Sequence, residues 1–176
     1  MTLKGAFNKN PSQTEVDNFV EAARTGHQAG VEAFLSKYSA SIDEKNYYDK
    51  TALMMAASMG HQDMVKLLLK NGADVNAKTR HNWTALIFVS AGGSREMVEL
   101  LLENGADLKA QTLNGWTARM FADANGLKDV LALLDAWPAM QKKRKARELQ
   151  AELNDFSTAL KTDMPARSPL KFPKKP

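Results

Sequence analysis

Apolar residues at Met64, Val65, Leu67 and Leu68 recur 33 positions later as Met97, Val98, Leu100 and Leu101, each set spaced to line one face of a helix. Asp63 and Glu96 stand in the first turn of these helices, and Asp129 holds the same position in a third copy; negative charge there meets the positive end of the helix dipole. Upstream, Thr51, Thr84 and Thr117 are also 33 residues apart, and each is followed by alanine. A threonine so placed predicts an N-cap, its hydroxyl accepting from a backbone N–H two or three residues on. Gly60, Gly93 and Gly126 then predict the end of a first helix, and Gly72 and Gly105 the end of a second, where positive φ costs glycine least. The pattern reads helix, turn, helix, loop.

Between the first two threonine-led segments, 14 of 28 aligned positions are identical, so they are copies of one unit. Ala22 to His27 matches Ala56 to His61, which adds an earlier and less regular copy. About four repeats result, at residues 15–47, 48–80, 81–113 and 114–137, preceded by a flexible N-terminus at residues 1–14. Ser12 with Glu15 offers a capping box for the entering helix, and Thr14 is a competing start.

Thr51-Ala-Leu, Ala56-Ala57, Gly60-His61 and the run Gly72-Ala-Asp-Val-Asn-Ala77 resemble the ankyrin repeat over about residues 16–137. The resemblance implies an all-α solenoid of helix-turn-helix units with finger loops, acting in protein–protein interaction. The chain departs from the family at Ala52, Ala85 and Ala118, which replace a proline, and at Met54, Ile87 and Met120, which replace a histidine. Those changes are expected to lower stability and leave the fold intact. Arg119 and Asp135 stand where other repeats have leucine, as a terminal repeat with a wetted outer face tolerates.

Asp49-Lys50, Asn82-Trp83 and Gly115-Trp116 share one register position, and Asp, Asn and Gly are the residues most tolerant of a left-handed turn. In the family, the residue after this turn position and the two before it form variable finger tips. The resemblance therefore points to Tyr47, Tyr48 and Lys50; to Arg80, His81 and Trp83; and to Leu113, Asn114 and Trp116, with Met59 on the groove side beside Ser58, Ala91, Gly92, Ala124 and Asn125. Tyrosine, tryptophan and arginine dominate interface hot spots. Trp83 admits two readings, contact with a partner or packing against a neighbouring finger. Asn76 also admits two, since asparagine at this position is hydroxylated in some eukaryotic family members and elsewhere bonds between loops.

Beyond the repeats, Trp137-Pro138 predicts a helix break, because the residue before proline is pushed out of the α region. Residues 138–160 then read as a separate helix, basic at Lys142, Lys143, Arg144, Lys145 and Arg147 and apolar along Leu149, Leu153, Phe156 and Leu160, a stripe open to two readings: docking on the last repeat, the commoner case, or binding a separate partner. The Pro- and Lys-rich stretch 161–176 predicts disorder.

Charge separates these parts. The chain carries +4 overall, yet residues 1–140 hold 14 Lys/Arg against 16 Asp/Glu, and residues 141–176 hold 10 against 4. The basic helix is open to three readings: a solvated face, a nuclear-import signal in a eukaryotic host, or attachment to an anionic surface. Nucleic acid fits poorly, with no stacking platform or recognition motif in the sequence.

Candidate chemistry is sparse. The sequence has no phosphate-binding glycine loop, serine elbow or His-Glu-x-x-His pair, and no cysteine, so no enzyme activity, catalytic residue, metal site or cofactor is expected. His27 and His61 share a slot after a turn glycine and are expected to bond locally, while His81 stands in a loop without catalytic partners. With no signal-peptide pattern and no long apolar run, a cytoplasmic site is expected, or a nuclear one in a eukaryote.

Overall fold

The computed structural model describes residues 10–162, and the chain divides into two compact units, Met1–Asp135 and Ala136–Pro176. The first contains helices α1 (Gln13–Thr25), α2 (Gln28–Tyr38), α3 (Ala52–Ser58), α4 (Gln62–Lys70), α5 (Ala85–Gly92), α6 (Arg95–Glu103) and α7 (Ala118–Ala124), with a 3-10 turn at Ser39–Ser41. Helix α8 (Lys128–Thr162) begins in this unit and supplies the second helix of the last repeat. Among the described residues there is no strand, only an isolated bridge between Gln111 and Thr117.

The threonine caps form as the spacing predicts: Thr51, Thr84 and Thr117 accept from the backbone N–H of Met54, Ile87 and Met120, each at 3.3 Å. α1 packs on α3, α3 on α5 and α5 on α7, while α2, α4 and α6 each cover the first helix of their own repeat. Small buried side chains, Ala52, Ala56, Ala85, Ala118 and Ala122, let the first helices approach closely. Met64, Val65 and Leu68 of α4 and Met97, Val98 and Leu101 of α6 supply the apolar bulk, each worth roughly 1.5–3 kcal/mol before chain entropy is charged. Met54 and Ile87 fill the slots where the resemblance places histidine and are fully buried; Met120, in the last repeat, is exposed.

Loops are tied from repeat to repeat. Asn76 donates its amide to the Gly105 carbonyl at 3.0 Å and accepts from the Asp107 N–H at 2.8 Å, the loop-bonding role expected of it. Asp43, one repeat earlier, accepts from the Asp74 N–H at 3.0 and 3.1 Å, and burial pushes its carboxyl above the usual range. His61 departs from the expected local bonding: its Nε2 lies 3.0 Å from the Arg24 carbonyl, which only accepts, so Nε2 carries the proton and the bond joins two repeats. His27 is exposed.

Both ends of the stack are closed by charge. Ser12 and Glu15 form the reciprocal capping box, and Thr14 lies inside α1. In the last repeat the two polar replacements find each other: Arg119 Nε donates to Asp135 Oδ1 at 2.6 Å and Nη2 to Oδ2 at 3.2 Å.

The expected break at Trp137-Pro138 does not occur, because α8 continues through Pro138. Strong helix formers lie on both sides, so continuing costs one backbone hydrogen bond and some strain at the ring, whereas stopping would require a new nucleus. Leu149, Leu153 and Phe156 of α8 are exposed. Residues 161 and 162, expected to be disordered, are still helical, and the rest of that tail lies outside the described residues, as do residues 1–9. No helix among the described residues is long and apolar enough to cross a membrane.

Glu15 makes the N-terminal cap sensitive to acid. Its carboxyl is held down from 4.5 to about 2, first by the Ser12 backbone N–H, then by Lys37 and by the hydroxyls of Ser12 and Tyr38. A carboxyl depressed in the folded state contributes stability above its unfolded value, lost as pH falls toward its folded value. Thermal unfolding of a Glu15→Gln variant is therefore expected to show a lower midpoint than the parent near neutrality, with the gap closing between pH 4.5 and about 2. A gap that stays constant over this window contradicts the assignment.

Candidate functional site

The three finger turns have one construction. Asp49, Asn82 and Gly115 take φ of 61°, 59° and 77°, the left-handed region for which their residue types are suited. Their N–H groups donate to the carbonyls of Asn46, Thr79 and Thr112 at 2.8, 2.8 and 2.9 Å. The side chains of Asn46, Thr79 and Thr112 then accept from the N–H of Lys50, Trp83 and Trp116 at 3.0, 3.1 and 3.2 Å. Sequence reasoning missed these three anchors, although their 33-residue spacing and shared side-chain acceptor were a usable signal.

Adjacent fingers are joined through their turns. The Asp49 carboxylate accepts from the Arg80 backbone N–H, and Arg80 Nε and Lys45 Nζ approach it at 3.5 and 3.8 Å. That backbone N–H is the main reason the Asp49 carboxyl titrates below the usual range. Farther along, the Leu113 N–H donates to the His81 carbonyl at 3.1 Å.

A ladder of rings underlies the finger row. The Trp83 ring lies 4.9 Å from Phe88 and 4.8 Å from Phe121, and Trp116 lies 5.0 Å from Phe121. The Lys50 ammonium sits 4.9 Å from the centre of the Phe88 ring, a cation–π contact that completes the series at one end. Phe88 and Phe121 are equivalent positions on α5 and α7, and Met55 holds that slot in α3. Each residue after a turn thus rests on a first helix, its own or the next. Trp83 is half-buried and Trp116 is 39% exposed, so each packs and still presents an edge. The two phenylalanines that seat them also escaped sequence reasoning, which treated the finger loops apart from the helices.

Tyr47 and Tyr48 are 79% and 75% exposed and meet edge to face at 5.7 Å. Together with Lys50, Arg80, His81 and Trp83 they surround an open depression of about 360 Å³ between the first two fingers. Six of the ten candidate residues therefore converge. Leu113, Asn114 and Trp116 belong to the third finger, and Met59 stands exposed at the end of α3. Among the described residues, no group of His, Asp or Glu is placed to hold a metal ion. The finger face offers flat apolar rings beside cations, an arrangement suited to binding.

On α8, Lys142, Lys143, Arg144, Lys145 and Arg147 are all exposed, and Arg144 Nε lies 3.2 Å from Glu148. This cluster belongs to the second unit.

A family model described as ankyrin repeats in many copies matches residues 19–69 and again residues 53–102. No curated protein matches the chain.

The ring ladder has a direct consequence. Phe121→Ala removes the contact shared by both tryptophans and is expected to destabilise the fold by about 2 kcal/mol, below the range for a fully buried ring. Chemical denaturation followed by tryptophan emission checks this, with a red-shifted native spectrum expected. An unchanged midpoint and an unshifted spectrum contradict the ladder.

Proposed function

Because the chain belongs to the ankyrin-repeat family, whose repeats serve generally as protein-interaction modules, we propose that it is a non-enzymatic adaptor or regulator that binds a partner protein through its finger tips and concave groove. The observation that carries this reading is the finger row itself: half-exposed tryptophans held against phenylalanines of the first helices, beside two largely exposed tyrosines. Rings already fixed in place lose little side-chain entropy on binding, and such residues supply most of an interface's energy. The groove side supports the same reading, since Ser58, Met59 and Gly92 at the ends of the first helices are exposed and mostly small.

A second reading has its own observation. The exposed basic run from Lys142 to Arg147, followed by exposed Leu149, Leu153 and Phe156, would suit an anchor to an anionic surface or nucleic acid, or a nuclear-import signal, with the repeats as carrier.

One comparison separates the two. Proteins that co-purify with the parent are quantified against a Trp83→Ala/Trp116→Ala variant and against a chain ending before residue 139, with folding of each checked by circular dichroism. The finger reading expects the double variant to lose its partners, each truncated contact costing at least ~2 kcal/mol, and the shortened chain to keep them. The reverse pattern favours the anchor.

A further inference from the structure

Resting on the reading of the fingers as a binding face, we propose that the depression between the first two fingers takes an acidic segment of the partner protein, with an apolar side chain seated on the rings and flanking carboxylates meeting Lys50 and Arg80. Its volume of about 360 Å³ lies near the lower end of the ~300–1,000 Å³ typical of ligand pockets. That is room for a side chain or two, too little for a helix. Trp83 and Phe88 give an apolar lining, and Tyr47 and Tyr48 stand beside it.

Charge decides what surrounds that side chain. Residues 45–50 and 78–83 hold four cations, Lys45, Lys50, Lys78 and Arg80, against one carboxylate, Asp49. Everything else in residues 1–140 holds 10 Lys/Arg against 15 Asp/Glu, so the positive charge is local to these fingers and runs against the sign of the body. Nor does Asp49 offset it in full, since its carboxylate is turned inward to the Arg80 backbone N–H and its side chain is only 18% exposed. The Arg80 side chain is 67% exposed beside it, and the Phe88 ring holds the Lys50 ammonium in position. Two cations are thus placed in advance at the edge of an apolar seat, which lowers the ordering cost of meeting carboxylates.

The third finger argues for a protein segment over a polyanion. A nucleic-acid strand or an anionic surface is recognised by cations continued along a track, each neutralising a phosphate. Here the row becomes neutral after one pocket, at Leu113, Asn114 and Trp116.

The test selects a library of random 12-residue peptides on the intact chain, then measures the selected peptides against the parent, Lys50→Gln/Arg80→Gln and Trp83→Ala. Neutral glutamines avoid new repulsion with Asp49 and leave the Arg80 backbone N–H in place. The expected result is a set enriched in Asp or Glu beside an aromatic or aliphatic residue, weakened about tenfold or more by both variants and progressively by salt. Peptides without acidic enrichment that respond to Trp83→Ala and not to the glutamine variant overturn this inference and leave the finger reading standing. Peptides indifferent to every finger variant overturn both. Failure to select any peptide, with phosphatidylserine vesicles or single-stranded DNA binding the parent and not the glutamine variant, overturns the acidic-segment assignment in favour of a polyanion.

Discussion

Helices as short as α4, nine residues, cannot keep an apolar face out of water alone, and the whole molecule follows from that limit. Val65 and Leu68 are fully buried only because α4 covers α3 and α3 is itself stacked between α1 and α5. Once burial is achieved by repeating one packing step, everything attached to the helices repeats with it. Finger turns 33 residues apart in sequence become neighbours in a row, and equivalent side chains fall into register.

That register turns modest local chemistry into a surface. Asn46, Thr79 and Thr112 do no more than accept one N–H each, yet by doing so they set the direction of Lys50, Trp83 and Trp116. The phenylalanines of α5 and α7 then fix the rings, and Asp49 holds the first finger to the second through a backbone N–H. The finger residues are loop residues in sequence and scaffold residues in rigidity. At the ends, where no neighbour exists, the stack turns to charge: Glu15 closes the first helix, and Arg119 with Asp135 stands where interior repeats carry leucine.

What the sequence made legible is what the period controls. Thr51, Thr84 and Thr117 were readable as caps and Asp49, Asn82 and Gly115 as turns, because both roles depend on a residue's own backbone and near neighbours. The Trp83–Phe121 contact was not, since it joins residues 38 apart through a helix of the next repeat, and only the stacked geometry brings them to 4.8 Å. Arg119 and Asp135 were each readable as polar exceptions, while their pairing depended on how α7 lies against the start of α8. Pro138 misled for the opposite reason. A strong local rule was outweighed by helix formers extending for turns on both sides. Of the candidate site, the finger positions were legible from the resemblance, and the depression between the first two fingers was not.

The central claim is that the finger row, and not the basic helix, is where this protein meets its partner. Amide hydrogen exchange of the intact chain, alone and bound to the protein with which it co-purifies, tests that claim most directly. The account predicts slowed exchange at residues 45–50, 78–83 and 111–116, with the amides of residues 139–156 unchanged. Protection confined to residues 139–156, with the fingers exchanging as in the free chain, would contradict it.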